Sequence, residues 1–163
     1  MTLETALLNI FGSKELVIIF VAALPIFELR GSIPLALFTF GFDPYTAFFL
    51  SVIGNMIPVI PLLLFLEPVS NYLRQWRIWD IFFTWLFERT HRKHSADFEK
   101  YGSIGLAIFV GIPLPATGAW TGCAAAFIFG FKFKNSFLAI LAGVIIAGVL
   151  VTALAYMGNK IFI

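Results

Sequence analysis

Two stretches decide how this chain is read: Phe27-Glu-Leu-Arg-Gly-Ser-Ile-Pro34 and Ile112-Pro-Leu-Pro-Ala-Thr-Gly-Ala-Trp-Thr-Gly122. Each interrupts a run of apolar residues with Pro, Gly and polar groups. The first also places an acid and a base, Glu28 and Arg30, in a region where every other residue between Glu15 and Asp43 is uncharged. Leu16–Phe27 and Ile33–Phe42 flank the first break, and Ile104–Ile112 and Cys123–Phe131 flank the second. As helix, such an arm measures roughly 15 to 18 Å, half of a hydrocarbon core of about 30 Å. No arm crosses a bilayer alone.

Working outward, composition identifies lipid as the expected solvent. Of 163 residues, 60% are hydrophobic and 12% charged, whereas a soluble domain carries about a quarter charged residues. The mean hydropathy is +0.95. Twenty Phe and four Trp suit a bilayer, where rings pack on acyl chains and Trp collects at the interfaces. A net charge of +2 offers no strongly basic surface, and no nucleic-acid partner is expected. Cys123 is the single cysteine, which excludes an intrachain disulfide and a cysteine-ligated zinc. His91 and His94 lie in Arg89-Thr-His-Arg-Lys-His94, where neighbouring cations repel a metal, so neither metal nor cofactor is expected. Leu16–Ala23 has the length of a signal-peptide core, but Glu4 and Glu15 set against Lys14 deny it a positive leader.

Pro44–Leu66 runs without a charge and is long enough to cross, with kinks expected at Pro58 and Pro61 and a stop at Glu67-Pro68. Residues 68–102 change character. Arg74, Arg77, Arg89, Arg92, Lys93 and Lys100 alternate with acids, while Trp76, Trp79, Phe83 and Leu86 recur at helical spacing. This reads as an amphipathic cytoplasmic helix, lying on the membrane or packed on the protein. After Gly102 the first pattern returns and ends in a second span, Ser136–Met157. Shifting by 89 aligns Phe38, Phe40, Gly41, Phe42, Phe48 and Gly54 with identical residues, six identities over positions 38–54.

The expected fold is an all-α integral membrane domain of two repeats, residues 15–67 and 103–158, in inverted topology. Each repeat is a Pro/Gly-broken re-entrant helical hairpin plus one transmembrane helix. Parallel repeats of kinked crossing helices are the alternative, and Lys/Arg counting gives eight against two for either arrangement. A crossing would carry Pro25, Gly31, Pro34 and two charges through mid-membrane, where irregular backbone survives only if protein or a water-filled cavity satisfies it. Hairpins are therefore favoured.

An acid or Arg at mid-helix in a bilayer costs about 2.5 to 3.5 kcal/mol even on a lenient scale. Glu28 and Arg30 either neutralise one another or converge on a cavity facing the second break. There, Thr117 and Thr121 offer hydroxyls, Trp120 an indole N–H, and the helix start its backbone N–H groups. Gly118 and Gly122 let that backbone approach a ligand. A helix N-terminus attracts anions, and the Arg30 guanidinium suits phosphate. The expected substrate site comprises Glu28, Arg30, Gly31 and Ser32 from the first break, with Pro113, Pro115, Thr117, Gly118, Trp120 and Thr121 from the second. Asn55, beside Gly54, either joins it or hydrogen-bonds a neighbouring helix.

These stretches resemble the two signatures of the prokaryotic membrane family named for small multidrug export, over nearly the whole chain, with Thr117-Gly-Ala-Trp-Thr-Gly122 the specific string. The plan of paired broken hairpins is also similar to that of DedA-type membrane proteins, some of which move polyprenyl-phosphate carriers. The resemblances imply a multi-pass transporter of a prokaryotic inner or plasma membrane. The leading expectation is movement of an anionic amphiphile or lipid-linked phosphate, with Arg30 and the Thr117–Gly122 helix start holding the anion and Glu28 changing protonation. A proton-coupled exporter of small cationic drugs, with Glu28 as counter-ion, is the alternative, and a structural or assembly role a third. No enzyme is expected, because no Ser-His or Cys-His pair lies in the apolar segments and Glu28 has no second carboxylate at depth. The expected partners are membrane lipids, an anionic lipid or small-molecule substrate, and protons; a homodimer stays open.

Overall fold

Apolar runs separated by Pro and Gly become helices separated by turns. The computed structural model describes residues 11–73, 75, 96–114 and 117–162, and among them every regular element is helical. Helix α1, Lys14–Ala23, starts where the Ser13 hydroxyl accepts from the Leu16 amide. After a bend through Leu24–Phe27, α2 spans Glu28–Pro34 and runs on as a π-helical turn, Leu35–Thr39. Gly41, at φ +69°, makes the reversal that follows. Helix α3, Pro44–Met56, is capped by Asp43, whose carboxylate accepts from the Tyr45 and Thr46 amides at 3.0 and 3.1 Å. Bonds from the Thr46 side chain and these amides hold the Asp43 carboxyl below its ordinary range. A turn at Ile57–Pro58 leads into α4, Val59–Leu73. Helix α5 spans Ala96–Gly111, α6 spans Ala119–Ile128 and α7 spans Phe133–Phe162.

Several boundaries differ from those expected. The Glu28–Pro34 motif is helical, and the break lies before it, at Leu24–Phe27. Pro34 brings no amide hydrogen to the helix, and directly after it the helix widens to a π turn in which the Phe40 amide bonds the Leu35 carbonyl five residues back. Glu67-Pro68 does not stop α4. A proline removes one helical hydrogen bond, yet its fixed φ remains helical, and the helix continues to Leu73. Pro61 lies in the first turn of α4, where no amide hydrogen is needed, so the kink falls at Ile57–Pro58 alone. Helix α5 begins at Ala96, ahead of the expected linker end. The amphipathic stretch Trp76–Leu86, His91, His94 and Pro115 lie outside the described residues.

The helices pack crosswise. Helix α1 packs on α3 and α5 on α7, while α2 packs on α7 and α6 on α4. Thus the first arm of each broken segment lies on the span of its own half, and the second arm lies between the spans of both halves. Glycine permits a close backbone approach in each half. A Cβ on Gly54 would strike the Ile19 carbonyl and Ala22; one on Gly143 would strike Val110 and the Ala107 carbonyl. Gly130, at φ +68°, turns α6 toward α7 as Gly41 turns the first half toward α3.

Two stretches, Pro44–Leu66 and Phe133–Gly158, are long and apolar enough to cross a membrane, and only 22% and 39% of them is buried within the protein. Phe49, Ile53, Phe65, Leu154 and Met157 point outward. A soluble core helix would be enclosed by protein, whereas these surfaces need lipid. Replacing Gly54 or Gly143 with Val is expected to lower stability by about 1 to 3 kcal/mol through overpacking. Gly105→Ala, with open space around it, should leave the melting temperature unchanged or raised. Thermal unfolding in detergent checks the contrast, and equal melting points for all three variants would refute the packing role.

Candidate functional site

The break before α2 and the break before α6 meet, and Glu28 is the residue that joins them. Its backbone takes φ +44°, a left-handed conformation unusual for a side chain of this size, and one that costs roughly 1 to 3 kcal/mol. A bond from its amide to the Leu24 carbonyl fixes the bend. The carboxylate is buried and accepts from the Trp120 amide at 3.4 Å, with the Ala119 amide beside it. These are the first two residues of α6. The helix N-terminus that the sequence suggested for an anionic substrate is therefore filled by the chain's own carboxylate. Gly118 makes this possible through space rather than backbone freedom. Its φ of 163° is extended, but a Cβ there would overlap the Glu28 carboxylate.

The other polar groups hold the breaks. The Trp120 indole donates to the Ala23 carbonyl at 3.1 Å, one of the last α1 carbonyls, which has no partner within its helix. The Thr117 hydroxyl accepts from the Leu114 amide at 3.2 Å and sits 2.7 and 2.8 Å from the Ile112 and Leu114 carbonyls, to one of which its single hydrogen goes. Arg30 Nη2 donates to the same hydroxyl at 3.2 Å. Arg30 thus ties α2 to the second break. The Thr121 hydroxyl donates to the Gly118 carbonyl at 3.2 Å and is exposed.

A cleft of about 460 Å³ opens between the breaks, lined by Pro25, Ile26, Phe27, Glu28, Arg30, Pro113, Thr117, Trp120 and Thr121. Six residues expected from the sequence meet here: Glu28, Arg30, Pro113, Thr117, Trp120 and Thr121. Gly118 lies just behind, with Asn55, around a space of about 10 Å³ next to Glu28 and Arg30. Gly31 and Ser32 are not part of the cleft wall. Gly31 is packed against Phe27, whose Cβ and Cδ1 come within 2.9 Å of where a Cβ would stand, and Ser32 is fully buried. Gly122 serves packing rather than ligand approach, facing Val110 and Ile140. The Pro25–Phe27 wall was missed as a site. Its signal in the sequence is Pro25, which ends the first apolar arm three residues before Glu28.

A family model described as "Putative small multi-drug export protein" matches residues 28–150. The chain belongs to that family. The match begins at Glu28 and ends within α7, so both sides of the cleft, apart from the Pro25–Phe27 wall, lie inside the family region. Export-family membership together with the two outward-facing apolar spans makes this a membrane protein. No curated protein and no solved structure matches the chain.

Gly118→Ala is expected to displace the Glu28 carboxylate and lower the melting temperature more than Trp120→Phe, which removes one hydrogen bond worth about 0.5 to 1.5 kcal/mol. A Gly118→Ala protein that melts with the wild type would show that the carboxylate does not rest at the start of α6.

Proposed function

We propose that this export-family protein is a proton-coupled exporter of small cationic amphiphiles in the cell membrane of a prokaryote, with the Glu28 carboxylate as the exchangeable group. The observation carrying this reading is the occupancy of the α6 N-terminus by Glu28 at the wall of the cleft. A site whose anion-binding amides already hold an internal carboxylate is poised to exchange protons or cations on that carboxylate, not to gain a second anion. The Phe27 and Trp120 rings line the same space and supply faces for a cation. Arg30 lines the cleft as well, with its guanidinium held on the Thr117 hydroxyl of the second break. An anionic amphiphile such as a lipid-linked phosphate would require Arg30 to leave Thr117 and Glu28 to leave α6.

In this reading the broken segments are re-entrant hairpins in an inverted repeat, which puts the cleft near mid-membrane between two half-helices. Three features support it: the matched Gly41 and Gly130 turns, the matched Gly54 and Gly143 approaches, and the crosswise packing of the arms. Reporter fusions are expected to place both termini outside and positions 93 and 134 in the cytoplasm. Cytoplasmic termini would instead require kinked crossing helices.

The charge logic separates the substrate classes. In proteoliposomes carrying a proton gradient, with ethidium as the probe cation, Glu28→Gln is expected to slow transport by roughly ten-fold or more, about 1.4 kcal/mol. Arg30→Gln and Arg30→Lys should keep or improve it. Were transport restored in the double variant Glu28→Gln with Arg30→Gln, the two charges would only be neutralising one another. Stabilisation by a polyprenyl phosphate that is lost in both Arg30 variants, with no ethidium transport by the wild type, would replace the cation reading with the anionic one.

A further inference from the structure

Hydroxyls in helices ordinarily turn back onto their own backbone, and this chain does so where they are structural. Thr121 bonds the Gly118 carbonyl, and Ser136 bonds Lys132 at 3.1 Å. Four other buried polar atoms behave differently: Ser32 Oγ, Ser51 Oγ, Asn55 Oδ1 and Thr152 Oγ1 have no hydrogen-bond partner among the described residues. Ser32 and Ser51 are completely buried and Asn55 is 1% exposed. All four lie on α2, α3 and α7, three helices that pack pairwise against one another.

Their placement has a direction. Asn55 shares the 10 Å³ space with Glu28, room for about one water. Ser32 is one turn beyond Glu28 on α2, and Ser51 one turn before Asn55 on α3, so both step away from the cleft toward the 40–43 turn. On α7, Val144 and Ala147 face the Glu28–Asn55 level and Gly148 faces Phe48 and Val52. Thr152, one turn further, steps the same way. Three levels result: Glu28 with Asn55, then Ser32 and Ser51, and Thr152 about one turn beyond them.

We propose that Thr152, Ser51 and Ser32 form a hydrated proton relay connecting Glu28 to the end of the molecule that carries the 40–43 turn, with the Asn55 amide oxygen as the acceptor that holds the last water beside Glu28. The inference rests on the reading of Glu28 as the proton-carrying group. A hydronium at that end releases its proton to the first water and becomes water. Each hydroxyl along the track accepts a proton on a lone pair and passes its own forward, and the last water donates to a Glu28 carboxylate oxygen, leaving the neutral acid. Two other titratable groups lie near Glu28: Arg30 on its own helix, and Cys123 on α6, whose thiol points to the Val59 carbonyl at 4.0 Å. Along the track α2, α3 and α7 present uncharged groups, and the outer end carries the Asp43 carboxylate, on the Tyr45 and Thr46 amides, and Lys14 of α1, its Nζ 3.5 Å from the Phe40 carbonyl.

The test uses the full-length protein in proteoliposomes with an internal pH dye and ethidium as the cation. In Ser51→Ala with Thr152→Val, proton flux at saturating ethidium is expected to fall at least roughly ten-fold. Ethidium affinity and melting temperature should stay at wild-type values, because the hydroxyls removed bond no protein group among the described residues. Thr152→Ser should retain the wild-type rate, as should Ser136→Ala. Unchanged flux in the double variant, with Glu28→Gln still abolishing transport, overturns the relay and leaves the Glu28 reading standing. A drop in its melting temperature also overturns the relay, since it reveals a structural bond. Proton coupling that survives Glu28→Gln defeats the Glu28 reading and the relay together.

Discussion

The contact between the Glu28 carboxylate and the first amides of α6 organises much of this molecule, because it connects two breaks that would otherwise each leave polar backbone in an apolar setting. A helix start has amides without partners, and in a hydrocarbon environment water cannot supply them. Here an acid from the opposite half supplies them. The requirement then spreads to neighbouring positions. Gly118 must lack a side chain where the carboxylate lies, and Glu28 must adopt a left-handed backbone to reach it. The bend at Leu24–Phe27 follows from that conformation, and with it the wall of the cleft.

Around this contact the remaining unpaired groups are met by side chains doing two tasks each. The Thr117 hydroxyl closes the second break and receives Arg30, so the base is positioned by the same atom that shapes the loop. The Trp120 indole satisfies the α1 terminus while its ring lines the cleft. A single change at either residue therefore disturbs backbone satisfaction and cleft geometry together. The unpartnered hydroxyls between α2, α3 and α7 stand apart from this economy, and the contrast is what gives them functional meaning.

The energetic logic of export follows from the same geometry. In the proposed exporter a proton or a cation competes for a carboxylate that rests on the Trp120 amide beside Arg30. Such competition links occupancy to movement, since neutralising Glu28 weakens the tie between the two halves. Crosswise packing makes that tie consequential: α2 lies on the span of the second half and α6 on the span of the first, so loosening one contact bears on both.

Much was legible in the residues themselves. The lipid environment follows from composition, because 60% hydrophobic residues cannot all be enclosed by so small a chain. The two spans follow from uninterrupted apolar length, the breaks from Pro and Gly, and the importance of Glu28 and Arg30 from the cost of charge at depth. Helix boundaries were less legible. Glu28–Pro34 folds as helix and α4 passes through Pro68 because tertiary packing and a π turn outweigh the local penalty of proline. What only the three-dimensional arrangement decided is who satisfies whom. An N-terminus attracts any anion, and the residues alone do not say whether it is a ligand or a carboxylate 92 positions away. Gly118, read as room for a substrate, is room for Glu28, and Thr117, read as a ligand, is the knot of its own loop. These assignments depend on distances between segments remote in sequence, which local patterns do not encode.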